Sequence, residues 1–354
     1  MKFLITLITI SFFYSFISCK QNSTAPKIDA DTLSNADLSD PQIKALTERI
    51  KNDPNASENY FLRSGVFLQS GNLKASFKDL SMAIALDSSN LKYYFGMADL
   101  ALTSGSADAA VDAYNQILER DPQNEDAILK LSKVYFFQRE YSSSLIQLSK
   151  AEEINKYNAD IYFVRGLNLK EMGDTARAIA SFQKAVSVNS DFYDAYVQLG
   201  LLHSNKPSQL AAQYFDNAIR IDSTSDEAYY DKAKFYQDRG DQFFDQNKDD
   251  LANENYKKAK DVYQELIEKN PQFENAYFNL GFIYVRQDSL DKAYRMFDFT
   301  IKVKPSYADA YYYRGLVSED KGNKEQAASD FRKAISLKPD YELAKKELEN
   351  ITAK

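Results

Sequence analysis

The residue types that most often carry out chemistry are scarce in this chain. Its 354 residues include one Cys and one His. This is too few for a disulfide framework, a zinc site of Cys and His ligands, or a catalytic triad chosen from spare residues. Carboxylates are abundant, but nothing in the sequence places two of them across a groove, as glycoside hydrolysis requires. No glycine-rich phosphate loop is present. We therefore predict no enzyme, no metal and no cofactor.

Composition narrows the class of protein further. The chain carries 44 basic and 51 acidic residues, a net charge of -7, which disfavours binding to a phosphate backbone and predicts no nucleic-acid partner. Only 11 Gly and 8 Pro occur, well below ordinary usage, so few turns are expected and the chain should be mostly helical.

The N-terminus has the pattern of a secretion signal. Lys2 precedes an almost wholly apolar stretch from Phe3 to Ile17, which suits a signal-peptide core and is short for a membrane span. The stretch ends Phe-Ile-Ser-Cys at residues 16–19, which resembles the bacterial lipobox. The resemblance implies that residues 1–18 are a lipoprotein signal peptide and that Cys19 receives the lipid. The alternative is an ordinary cleaved signal in which Cys19 falls there by chance.

Residues 19–40 are polar and lack an apolar period, so we interpret them as a flexible tether. Lys20 rather than Asp follows the cysteine. By resemblance to Gram-negative lipoproteins, this favours lipid anchoring in the outer membrane. The expected location is the bacterial cell envelope on the periplasmic side, with exposure at the cell surface left open.

A repeat fills the remainder of the chain. Turn dipeptides recur at spacings of 34, 34, 34, 33, 48, 34 and 34 residues, beginning with Asp87-Ser88 and ending with Lys338-Pro339. The repeats begin at Ser57, Leu91, Glu125, Ala159, Tyr193, Asp226, Glu274 and Ala308. Within them, position 8 and a second slot near position 20 are small, whereas position 4 and a slot near position 24 are mostly aromatic or large apolar. Small residues allow two helices to approach closely, and large residues fill the space between neighbouring helices.

This period and code resemble the tetratricopeptide repeat (TPR). The resemblance implies an all-α, right-handed superhelical solenoid of eight TPR helical hairpins over residues 57–341, followed by a capping helix. Residues 41–56 are expected to form an N-terminal half-repeat helix that begins at Asp40-Pro41. Residues 342–354 are expected to form the C-terminal capping helix, with Leu343, Leu348 and Ile351 on its inner side. Such polar outer caps are typical of repeat arrays.

The 48-residue step adds 14 residues, 241–254, to repeat 6. Fourteen is twice seven, so each helix can gain two turns and still face its partner. We predict a longer hairpin that projects from the solenoid edge. Phe243 and Phe244 either dock a partner there or only continue the packing within the hairpin.

A binding surface is implied by the family. Positions 2, 5, 9, 12 and 13 of the first helices line the concave groove of TPR proteins, and here many of these are apolar or aromatic. The candidate groove residues are Phe61, Phe95, Phe136, Phe163, Tyr230, Phe278, Phe282 and Tyr312. Packing onto the next repeat is an equally open role for each. Position 5 is never Lys and position 9 never Asn, so a clamp for a C-terminal carboxylate is not expected. His203 lies in a packing position.

These features predict a non-catalytic adaptor that resembles bacterial TPR lipoproteins. Its groove is expected to bind a peptide or helix of other envelope proteins, and lipidated Cys19 to hold it at the membrane. One alternative is a carbohydrate- or peptidoglycan-binding protein with Tyr and Phe as stacking platforms, against which the absence of Trp counts. Another is a structural homo-oligomer.

Overall fold

The computed structural model describes residues 39–204 and 209–352, which form eighteen α-helices and no strand. The prediction of an all-helical repeat fold is confirmed. The chain divides into two compact units, one ending at Val134 and the other beginning at Tyr135. The helices are α1 (Pro41–Asn52), α2 (Ser57–Gln69), α3 (Leu73–Leu86), α4 (Leu91–Thr103), α5 (Ala107–Arg120), α6 (Glu125–Phe137), α7 (Tyr141–Ile154), α8 (Ala159–Glu171), α9 (Thr175–Val188), α10 (Tyr193–Ser204), α11 (Leu210–Ile221), α12 (Asp226–Asp245), α13 (Asp249–Lys269), α14 (Glu274–Arg286), α15 (Leu290–Val303), α16 (Ala308–Asp320), α17 (Lys324–Leu337) and α18 (Glu342–Thr352).

From α2 to α17 the helices alternate as the first and second members of eight hairpins. Within most hairpins the turn needs one residue in the left-handed region. Glycine supplies it in four repeats, for example Gly71 at a φ of 81° and Gly322 at 79°. In the remaining turns of this type, Arg139, Asn247 and Asp288 adopt φ values of 62°, 55° and 52°. A polar residue then caps several second helices. Asn72, for instance, accepts a hydrogen bond from the amide of Ala75.

The small and large positions of the repeat meet inside each hairpin. A Cβ placed on Gly166, at position 8, would lie 2.5 Å from the Phe182 ring at position 24. The same measurement gives 2.6 Å between Gly281 and the ring of Phe297. Both rings are fully buried. Glycine at position 8 therefore lets a phenylalanine pack directly onto the backbone of the facing helix.

Repeat 6 extends this arrangement. Its helices have 20 and 21 residues, against 13 and 14 in repeat 7. Ala233 and Tyr263 occupy positions 8 and 24 in one core cluster. Seven residues nearer the tip on each helix, Gly240 packs against Tyr256, with a Cβ-to-ring distance of 2.5 Å. The insertion thus adds one heptad to each helix and repeats the small–large pair once.

Helices α1 and α18 close the two ends of the described array. The Asp40 carboxylate accepts hydrogen bonds from the amides of Gln42 and Ile43 at the start of α1. The prediction for Leu343 on α18 is wrong, since this side chain is 56% exposed. Ala344 takes the inner place instead, because it is spaced with partly buried Leu348 on one face of the helix.

Candidate functional site

The candidate site is the surface formed, within each unit, by positions 5, 9, 12 and 13 of the first helices, here called the first-helix face. In the second unit, the aromatic rings at position 5 contact the aromatic last residue of the same repeat. The ring-centroid distances are 4.9 Å for Phe163–Phe192, 5.4 Å for Tyr230–Phe273, 4.9 Å for Phe278–Tyr307 and 5.0 Å for Tyr312–Tyr341. These rings therefore pack onto the turn between repeats, and only their outer edges can meet a partner.

The candidates differ in how much surface they offer. Tyr312 is only 6% exposed, so its place is in the core rather than on a binding surface. Phe163 is partly buried between Phe182 and Phe192. Packing is the main role of both, because an aromatic ring between two others is already desolvated.

The first unit holds two of the candidates. The partly buried ring of Phe61 lies 5.2 Å from that of Tyr93. Phe95 is edge-on to Tyr114 at 6.2 Å, and the ammonium of Lys130 lies 5.1 Å from the Phe95 centroid. A cation over the ring covers part of the surface that a partner would use.

Phe136 lies beside a residue that the sequence analysis missed. Its ring is 5.6 Å from that of Phe137, which is 80% exposed. On other first helices of the second unit, Leu201 is 39% exposed and Val285 is 37% exposed. The signal was available, because Phe137 occupies position 13. Periodicity alone does not separate the exposed member of a Phe-Phe pair from the buried one.

The first helices of repeats 7 and 8 carry an aromatic cluster. Phe282 lies 4.4 Å from Tyr313 and 5.0 Å from Phe278. All three rings are partly buried, and they pack on the buried ring of Phe297. Tyr313 was not predicted. The cluster presents a continuous aromatic edge, although each ring is also held by its neighbours.

Polar groups lie beneath the face where repeats 6 and 7 meet. The Asn279 side-chain amide donates to the hydroxyls of Tyr230, at 3.2 Å, and of Tyr263, at 3.0 Å. The Tyr263 hydroxyl donates in turn to Gln237 Oε1 at 2.9 Å. Burial raises the pKa of Tyr263 well above its usual value, so the hydroxyl stays protonated. This network holds the two repeats together and contains no group poised for acid–base catalysis.

One carboxyl group on helix α12, that of Asp231, has a perturbed pKa. Partial burial, together with the like charge of Glu227 one turn earlier, raises the pKa of Asp231 to about 6. In the described ranges there is no group of three or more His, Cys, Asp or Glu that could hold a metal ion.

The extended hairpin is attached to repeat 7. The Arg286 guanidinium lies 4.9 Å from the Phe244 ring and pairs with Asp241 at 3.3 Å. Gln287 donates to Asn253 Oδ1 at 2.7 Å. Phe243 is also partly buried against the same core cluster. The hairpin tip is thus held by the neighbouring repeat, and both phenylalanines pack within the protein.

The structure tests the prediction for the single His of the chain but not the prediction for its single Cys. His203 is 6% exposed, and its ring lies 5.3 Å from that of Tyr214, as suits a packing residue. Cys19 lies outside the described residues, as do the predicted signal peptide and nearly all of the predicted tether. Within the described ranges, no helix has both the length and the hydropathy needed to cross a bilayer.

Comparison with known families agrees with this geometry. Models of the tetratricopeptide repeat match residues 66–125, 95–159, 159–192, 262–295 and 308–341, together more than half of the chain. A TPR repeat-containing protein of Methanocaldococcus jannaschii is 25% identical over 261 residues, which are 72% of this chain and 39% of that protein. DnaJ homolog subfamily C member 3 of Mus musculus is 24% identical over 219 residues, which are 57% of this chain and 43% of that protein. The chain thus spans about two-fifths of the length of these relatives.

A solved structure shows the same fold. The C-terminal part of a TPR repeat-containing protein from Cytophaga hutchinsonii aligns with a TM-score of 0.60 at 19% identity. The alignment covers 73% of this chain and 99% of that one.

Proposed function

Because the chain is a tetratricopeptide repeat protein, we propose that it is a non-catalytic scaffold that binds a peptide or helix of a partner protein on its first-helix face. The observation that carries this proposal is the exposure of apolar side chains there, above all Phe137 at 80%. Large apolar side chains exposed on one face are typical of interaction surfaces, since burial against a partner removes them from water.

The aromatic candidates at position 5 have a supporting part in this proposal. Phe163 and Phe278 are anchored by their contacts with Phe192 and Tyr307, so their outer edges are held in place before a partner arrives. A surface fixed in advance loses less conformational entropy on binding than a mobile one. Phe137 would then insert into the partner, while the anchored rings would form the floor.

We also propose that lipidated Cys19 tethers the scaffold in a bacterial envelope, facing the periplasm, so that its partners are other envelope proteins. The support is the apolar stretch that ends in Ser18-Cys19 and the polar residues that follow it. Two or more acyl chains give stable anchoring where a single one does not. Growth of cells with labelled palmitate, followed by purification, tests this step. Label on the wild type and none on Cys19→Ala is the expected result, and equal label on both would exclude the anchor.

Binding on the first-helix face is tested by site-specific photo-crosslinking in cells that express the full chain. A photoreactive residue at Phe137 or Val285 should give the same partner adduct. A residue at Phe299, which is 42% exposed on the second helix α15 of the same unit, serves as the control and should not. The triple change Phe137→Ser, Leu201→Ser and Val285→Ser should remove the adduct formed by a crosslinker elsewhere on the face. An adduct from Phe299 alone would place the partner on the second helices, and adducts of the chain with itself would identify a homo-oligomer.

A further inference from the structure

Three repeats share a tyrosine at position 4 and an arginine at position 7, and in each the guanidinium lies over the tyrosine ring. The distances from guanidinium carbon to ring centroid are 5.8 Å for Arg63 over Tyr60, 5.6 Å for Arg165 over Tyr162 and 5.6 Å for Arg314 over Tyr311. The three arginines therefore leave their helices in a similar direction. The groups that each guanidinium contacts differ between the repeats.

In repeat 8, carboxylates surround the guanidinium. Arg314 donates to both carboxylate oxygens of Asp330, at 2.9 and 2.7 Å, and to Asp298 at 2.6 Å. Asp330 occupies position 23 of the same repeat, and Asp298 occupies position 25 of the preceding one. The side chain of Asp330 is only 3% exposed, so this bidentate pair is shielded from water.

Repeat 1 shows the same arrangement. Arg63 donates to both oxygens of Asp79, at 2.7 and 2.8 Å, and to the Thr47 hydroxyl at 2.9 Å. Asp79 is again at position 23, and Thr47 stands where a preceding repeat would have position 25. The fold thus directs the position-7 arginine into a site built for a carboxylate.

Repeat 4 has the arginine without this carboxylate. Position 23 is Ser181 and position 25 of the preceding repeat is Ser149. Both hydroxyls donate to carbonyl groups of their own helices. Arg165 turns instead to Glu152 at 2.6 Å and donates to the Leu148 carbonyl at 3.3 Å. The side chain of Glu152 is 38% exposed and that of Arg165 is 20% exposed. An ion pair so accessible to water is worth little and can be exchanged for another carboxylate.

Repeats 1 and 8 have an aspartate at position 23, whereas repeat 4 has a serine. An open cleft of about 550 Å³ lies there between α7, α8 and α9. Arg165 lines it together with apolar Leu145 and Leu169, and Arg177 and Lys184 lie at the same cleft. Of the eight second helices, α9 is the one with no Asp or Glu. Glu152 also lines the cleft and Arg177 pairs with Asp174, so three basic side chains stand against two acidic ones there, in a chain of net charge -7.

We propose that this cleft, here called the Arg165 cleft, binds an Asp or Glu side chain of a protein partner. The carboxylate would take the place that Asp330 has in repeat 8, accepting a bidentate pair from Arg165 and displacing Glu152. An apolar neighbour in the partner would cover Leu145. Lys184 favours an acidic segment over a neutral one. The Arg165 cleft is separate from the first-helix face and would serve a second contact.

Isothermal titration calorimetry on the full chain tests the proposal. The probe is an acetylated, amidated Leu-Asp-Leu-Glu-Leu peptide, compared with its Leu-Asn-Leu-Gln-Leu counterpart. The acidic peptide should bind, and the neutral one at least about tenfold more weakly. The variant Ser181→Asp rebuilds the carboxylate of repeats 1 and 8, so it should weaken binding at least about tenfold while raising Tm. The matched control is Ser329→Asp, which adds the same charge to an exposed site on α17 and should bind like the wild type.

Arg165→Gln provides a second route to the same result, should Ser181→Asp fail to fold. This variant should also weaken binding of the acidic peptide at least about tenfold. Unchanged affinity in either folded variant would overturn the proposal, as would equal loss in Ser329→Asp, which would mark a general charge effect. Binding of inorganic phosphate at this site, with no binding of the peptide, would also overturn it.

Discussion

The ring of Phe278, at position 5 of repeat 7, lies 4.9 Å from the ring of Tyr307, the last residue of that repeat. Other repeats use this last position differently. Asn158 accepts a hydrogen bond from the amide of Asp160 and caps the next helix, whereas Tyr307 makes no side-chain cap. The last position therefore either caps the following helix or packs against position 5.

Substitutions of Tyr307 that replace packing by capping measure how much each contributes to stability. Tyr307→Ala should lower the free energy of unfolding by about 2 to 3 kcal/mol, because the ring contact is lost. Tyr307→Asn should recover about 1 kcal/mol of that loss by capping α16. Urea denaturation provides the measurement. Tyr307→Phe is the control, since it removes only the 3.1 Å hydrogen bond to Asn275 and should cost under about 1 kcal/mol. Equal stability of the Ala and Asn variants would show that no cap forms.

Two helical glycines, Gly281 at position 8 and Gly65 at position 9, predict opposite effects of the same substitution. Gly281→Ala places a Cβ 2.6 Å from the Phe297 ring, so overpacking should destabilise the protein by about 1 to 3 kcal/mol. Gly65→Ala is the matched control, because no atom lies within 4 Å of its Cβ and alanine is the better helix former. It should stabilise by about 0.5 to 1 kcal/mol. Thermal unfolding distinguishes them, and a similar Tm change in both would contradict the close approach.

The carboxylate around Arg314 makes that arginine hard to replace. Burial works to lower the pKa of Arg314, but the hydrogen bond and charge of Asp330 outweigh it and hold the pKa above its usual value. Arg314→Met leaves Asp330 buried without its partner and should cost about 3 to 5 kcal/mol in the free energy of unfolding. Adding Asp330→Leu should restore most of that loss. The exposed Arg332→Met should change stability by less than about 0.5 kcal/mol, and an equal loss there would refute the argument.

The raised pKa of Asp231 predicts a pH dependence. In the folded chain this carboxyl has a pKa of about 6, above its unfolded value, so the folded state holds the proton more tightly. Stability from this group is then present below about pH 4 and is lost as the pH rises through about 6. Asp231→Asn should therefore stabilise the protein at pH 7, by about 1 kcal/mol after allowance for solvent screening, and have little effect at pH 4.

Unfolding of the wild type and Asp231→Asn at the two pH values checks this difference. Glu227→Gln provides the control, because it removes the like charge and should lower the pKa of Asp231 in an NMR titration. A gain of equal size at both pH values would show that the effect does not arise from ionisation.

Much of the fold could be predicted from sequence because the packing code is local. A small residue such as Gly166 and a large one such as Phe182 recur at fixed spacings, and that spacing is enough to define a hairpin. The binding face was harder to predict. Tyr312 and Phe163 have similar side chains at the same repeat position, and each packs between two aromatic rings at equivalent positions. Tyr312 is nevertheless buried, whereas Phe163 is only partly buried. Periodicity predicts which face of a helix carries a side chain. It does not predict how much of that side chain its neighbours leave exposed.

The Arg165 cleft shows a second limit. Arg165 and Arg314 share position 7 of their repeats, but the sequence does not show which groups surround each guanidinium. The substitution of Ser149 and Ser181 for carboxylates is unremarkable within a polar helix sequence. Its effect appears once the two serines are seen to lie around one guanidinium.

The pair of Gly240 and Tyr256 has a consequence for how such a chain can change in evolution. Since it reproduces the pair of Ala233 and Tyr263 one heptad further out, the hairpin can be lengthened without altering the contacts below it. Insertions that preserve this match come in steps of about 14 residues, seven in each helix. Homologues of this protein should therefore differ in the length of repeat 6 by whole steps, and intermediate lengths should be absent.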